Sequence, residues 1–105
     1  MFDSLVYPRE KFTTALYSLT SGGSLKSRIL NAYMSFHPIK ASDFKDEDLR
    51  SKYEELYRRL TAVKDGPSDN GYVQNSVDRM TDDEARQVSD LITDLALQIR
   101  DRSPR

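Results

Sequence analysis

Apolar residues recur along most of this chain at the three- and four-residue steps of a helix. Phe12, Ala15, Leu16 and Leu19 stand at i, i+3, i+4 and i+7 behind Pro8, a residue suited to a first helical turn, and predict the first helix. That helix must stop in the stretch SLTSGGSLKS, where Gly22 is expected to supply a left-handed cap. Ser24 then accepts from the first amides of a second helix, so the two form a hairpin. In the second helix Leu25, Ile29, Leu30, Tyr33, Met34 and Phe36 cover an arc too wide for a surface stripe, which predicts the most buried element of the set. Pro38 denies its predecessor the helical region, and IKASDF follows as a short extended connector into acids that favour a new helix start.

The third helix has the clearest signal. Leu49, Tyr53, Leu56, Leu60 and Val63 alternate steps of four and three, with Glu54–Arg58 and Glu55–Arg59 as outward i, i+4 pairs. KDGPSDNGY reads as a loop by its turn chemistry, expected to be mobile over 64–71, and Val73, Val77 and Met80 after it suit a short helix laid across the core. Thr81 and Glu84 make a T-x-x-E capping box, with Met80 and Ala85 placed as a hydrophobic staple. Ala85, Val88, Ile92, Leu95 and Ile99 then carry the last main helix, from Asp82 to about residue 101.

The expectation is therefore an all-α protein: an irregular bundle of four main helices with short loops, plus a short helix before the last one. A length of 105 residues suits one domain, 1–105, with an N-terminal segment at 1–7 and a flexible tail at 102–105. Composition changes this picture little. At 37% hydrophobic and 31% charged the chain is polar, but six Tyr and four Phe supply rings for a core. With no cysteine, thiol nucleophiles, disulfides and Cys-ligated zinc are excluded, and a reducing compartment, the cytoplasm, is expected. The start MFDSLVYPREKF carries an acid at Asp3 and no long apolar run, and so reads as neither signal peptide nor membrane anchor.

Charge adds an asymmetry that the net value of −1 hides. Residues 11–42 contain Lys11, Lys26, Arg28 and Lys40 and no acid, whereas the span from Asp65 to Asp94 holds eight acids against Arg79 and Arg86. Either the two regions pack together or are solvated separately, or a basic face is left for an acidic partner.

Candidate chemistry is sparse. Asp82, Asp83 and Glu84 are consecutive in a first helical turn, roughly 100° apart, and so serve the positive end of the helix dipole better than a metal ion. His37 is the only histidine, which removes two-histidine metal motifs, and its place at a helix end suits carbonyl capping better than general-base work. SGGSLKS joins glycines, serines and a lysine before a helix but follows a helix and lacks the G-x-x-x-x-G-K-[ST] order of a phosphate loop. No catalytic residue, cofactor or metal is expected, and the chain does not read as an enzyme.

Two binding readings remain. Leu97 and Tyr17 sit off the apolar stripes of their helices, and Phe2, Leu5 and Val6 form an apolar group near the start. These five point to a non-enzymatic protein–protein interaction module, such as a small accessory, adaptor or inhibitory subunit, bound to another chain or to itself. The alternative is a nucleic-acid-associated regulator using Lys26, Arg28, Lys40 and Lys45, against which an isoelectric point near 5.8 weighs.

Overall fold

Short polar side chains start three of the helices by taking up amides that have no partner within the helix. Ser24 Oγ accepts from Ser27 N at 3.2 Å, Asp46 Oδ1 from Leu49 N at 3.1 Å, and Thr81 Oγ1 from Glu84 N at 3.1 Å. The computed structural model describes residues 5–64 and 69–102. In it these starts open α2 (Leu25–Phe36), α3 (Glu47–Leu60) and α5 (Asp82–Arg102), while α1 (Val6–Leu19) precedes them and α4 (Asp69–Asp78) fits between α3 and α5. A single 3-10 turn at Ala41–Asp43 lies in the connector before α3. Helices are the only regular elements among the described residues, so the all-α expectation of four main helices and a short one holds.

The capping box at Thr81 closes in both directions, because Glu84 Oε1 also accepts from Thr81 N at 2.8 Å. That amide is the main reason the Glu84 carboxyl titrates below its ordinary value of 4.5. A carboxyl with a depressed folded pKa stabilises the fold above its unfolded pKa, and the contribution is lost as pH falls through the folded one. Thr81→Ala, which loses the hydroxyl cap but keeps the amide, should cost about 0.5–2 kcal/mol, whereas Glu84→Gln, which removes the titrating carboxyl, should differ from the parent protein most at neutral pH and less in acid. Thermal melts from neutral pH down to about pH 3 check this, spanning the ordinary glutamate range. Calorimetric loss of a bound divalent ion on Asp83→Asn, with stability unchanged, would instead make the acidic turn a metal site.

Most residues of the predicted stripes are buried, but Leu16 is half-buried, and Val63, placed on the third helix, lies half-buried beyond its end. Phe12, Ala15 and Leu19 of α1, Ile29 and Phe36 of α2, Leu49, Leu56 and Leu60 of α3, Val73 and Val77 of α4, and Val88, Ile92 and Ile99 of α5 join one continuous core. Its centre is aromatic: Phe12 stacks on Phe36 with centroids 4.7 Å apart, and both meet the edge of Tyr53, at 6.2 and 6.3 Å. α2 touches α1, α4 and α5, and α5 touches α1, α2 and α3, so the last helix shares the central place foreseen for α2 alone. Met34, counted in the apolar arc of α2, is 54% exposed.

Local readings that the structure corrects concern ends and loops. The residue with positive φ is Gly23 (φ 105°), not Gly22, because α1 is closed earlier by hydroxyls: Thr20 Oγ1 and Ser21 Oγ donate to Tyr17 O at 2.8 and 3.0 Å. Asp69 to Gly71 belong to α4 rather than to the 64–71 loop, while 65–68 lie outside the described residues. Ser76 Oγ accepts from Val63 N at 2.8 Å, so the far end of α3 is tied to α4 across that connection. Arg58 pairs with Glu55, three residues back, instead of Glu54.

Ion pairs join α3 to α5, and they draw no cation from the acid-free stretch 11–42. Arg102, at the negative end of α5, binds Asp46 at 3.1 Å and Asp48 at 3.0 Å around the start of α3. Lys52 approaches Asp94 at 3.9 Å. These pairs are exposed or half-exposed and fix the antiparallel seating of the two helices more than they stabilise it.

Candidate functional surfaces

Helical phase decides where the off-stripe apolar residues go. Val6 and Tyr17 are three turns apart on α1, within about 20° of one another and on the side away from Phe12 and Leu19. They are 45% and 72% exposed. Leu97 stands two residues from both Leu95 and Ile99, so it points about 160° from each of those buried side chains and is 49% exposed. It shares the outer face of α5 with the exposed Asp90, Asp94 and Asp101. Leu5 behaves differently, since it is half-buried against the core, and Phe2 lies outside the described residues.

The cations singled out for nucleic acid divide into two kinds. Lys26 Nζ donates to Asp78 O at 3.0 Å, capping the end of α4, and Arg28 Nη1 donates to Leu19 O at 2.8 Å, capping the end of α1. Arg28 is half-buried, and its Nε is the one buried side-chain polar atom without a hydrogen-bond partner among the described residues. These two side chains close helix ends. Lys40 and Lys45 are exposed on the connector between α2 and α3.

That connector builds an open groove of about 980 Å³ between residues 37–41 and the outer flank of α3. Pro38, leaving α2, turns the chain so that Ile39 is buried, and the Tyr53 hydroxyl donates to Ile39 O from within α3. The Tyr53 phenol is pushed well above its ordinary range, first by burial and then by Tyr33 and Tyr57 nearby. Pro38, Ala41, Tyr57 and Ala62 give the groove its apolar lining, and Lys40, Arg58, Arg59 and Lys64 its cationic lining. Glu54 is the one carboxylate in the lining. Glu55, beside it, accepts from both arginines, at 2.7 Å from Arg59 Nε, and those bonds hold its carboxyl below the usual value. Lys64 Nζ lies 5.4 Å from the centre of the Tyr72 ring.

His37 also borders the groove as the C-cap residue of α2, with its ring 5.9 Å from that of Tyr33. Asp83 is engaged by Arg86 at 3.0 Å and Glu84 by Thr81. Among the described residues, no three His, Asp or Glu side chains are grouped to hold a metal ion, and no helix is long and apolar enough to cross a membrane.

The sequence marked Lys40, Arg58 and Arg59 separately but did not join them, because a groove is made by two segments 15 or so residues apart meeting in space. Tyr57 was the available signal: it stands one position off the buried Leu56, about 100° around α3, and only part of its ring is taken up by the core and by stacking on Tyr53. No family model, curated protein or solved structure matches the chain, so a functional reading has to come from these surfaces.

Proposed function

We propose that this protein is a non-enzymatic protein–protein interaction module, a small accessory, adaptor or inhibitory subunit of a cytoplasmic assembly. The observation that carries the reading is the placement of Tyr17 and Leu97: large apolar side chains turned outward from helices whose opposite faces already complete the core. Such residues cost solubility and contribute nothing to the interior, and contact with another chain gives them a use. The regulator reading loses support where Lys26 and Arg28 spend their charge on helix ends.

The test is a charged substitution on the outer faces. Leu97→Glu and Tyr17→Glu should keep the helical circular-dichroism spectrum and the melting temperature while abolishing a partner complex or self-association seen by sedimentation. An unfolded Leu97→Glu product would mean that this side chain belongs to the core. Retention of the parent protein on a polyanion column that weakens steeply with salt, and is unchanged in both variants, would favour the nucleic-acid reading.

A further inference from the structure

We propose that the groove between the α2–α3 connector and α3 binds an acidic amphipathic helical segment, about two turns long, from another protein. The proposal deepens the interaction reading and rests on it, but it assigns a second surface and a chemistry for the partner. Charge complementarity supplies the sign. Lys40, Arg58, Arg59 and Lys64 surround the groove, against Glu54 in the lining and Glu55 behind the arginines, so the rim is cationic on a chain whose net charge is −1. The Glu55 carboxylate holds the Arg58 guanidinium in place, which lowers the entropy lost when it meets an acidic ligand, whereas Arg59 is shared between Glu55 and Gln87 of α5.

Shape supplies the rest. The lining residues of α3 and its C-cap run from Tyr53 to Thr61, about 12 Å along the helix axis, which matches two turns of a docked helix. Pro38, Ala41, Tyr57 and Ala62 in the lining offer apolar contact, suited to anchors at i and i+3 or i+4, while acidic residues on the flanks of the ligand reach the cations. A polyanion would use the charges and leave these apolar residues bare.

The test selects ligands from a display library of random peptides about 12 residues long, somewhat more than the groove spans, on the full-length protein. Enriched peptides should be rich in Asp and Glu with paired apolar residues three or four apart. Their binding, followed by fluorescence anisotropy, should weaken by about tenfold or more in Arg58→Glu/Lys64→Glu and in the single variant Lys40→Glu, both checked for fold by circular dichroism. Leu97→Glu should bind them unchanged. Enrichment of basic or neutral peptides, or of none, overturns the proposal. So does binding lost in Leu97→Glu and kept in the groove variants, which would leave the interaction reading standing on the α5 face. Equal competition by a single-stranded oligonucleotide would replace the acidic helix with a polyanion. Self-association that disappears in Lys64→Glu would replace it with a second copy of this chain.

Discussion

Leu56→Ala and Ile92→Ala should each lower stability by about 2–5 kcal/mol in urea melts, with Phe12→Ala at the upper part of that range. All three side chains are fully buried. Leu56 and Ile92 lie on α3 and α5, which pack directly on one another, and Phe12 is held between Phe36 and Tyr53. Truncation removes the transfer free energy of the lost carbons and leaves a cavity that helices pinned at both ends cannot close. Arg102 pins the start of α3 to the end of α5, and Arg59, at 2.9 Å from Gln87, joins them again near the other end. A domain of this size commonly has about 5–15 kcal/mol in total, so each variant should lose a large share of it. Effects near zero for Leu56 or Ile92 would mean that the helix is rotated so that another face meets the core.

The stripes of α1, α3 and α5 were legible because a helix face is a local pattern, repeated every 3.6 residues, that burial enforces over several turns. The Thr81–Glu84 box was legible for a similar reason: donor and acceptor lie three residues apart in one chain segment. Features decided by competition were less so. Thr20 and Ser21 hydroxyls and the Arg28 guanidinium all reach the last carbonyls of α1, and together they displaced the glycine cap from the position that turn chemistry suggests. At Asp69–Gly71 the local preference for a turn yielded to the burial of Val73 and Val77 in the same helix.

Lys26 and Arg28 show what a charge count cannot convey. Both are basic residues in an acid-free stretch, yet their partners are backbone carbonyls of Asp78 and Leu19, one of them 52 residues away. The outward turn of Tyr17 and Leu97 followed from phase alone, whereas Leu5 needed the folded chain to show that it leans on the core. The groove was the least accessible, since it is made where the segment after Pro38 is held against α3.

That junction is the subject of the remaining expected result: Tyr53→Phe should cost about 1–3 kcal/mol near neutral pH, and the cost should shrink as the solution becomes alkaline. The phenol is buried and donates to Ile39 O, so the variant leaves a buried carbonyl without its donor. Burial raises the folded pKa of Tyr53, whereas the unfolded chain ionises near the ordinary value of 10.0. Above that value the unfolded state has released a proton that the folded state retains, so stability falls with rising pH. Phenylalanine has no such proton, and the difference between parent and variant should therefore be largest below about pH 9 and decline beyond about pH 10. Chemical melts of both proteins across that interval check the sign, and a constant difference would mean that the Tyr53 hydroxyl reaches water. The same hydrogen bond holds one side of the groove to the other. Amide exchange at Lys40 and Ala41 should accelerate in Tyr53→Phe even below pH 9, where the parent retains the bond, while amides within α5 keep their protection.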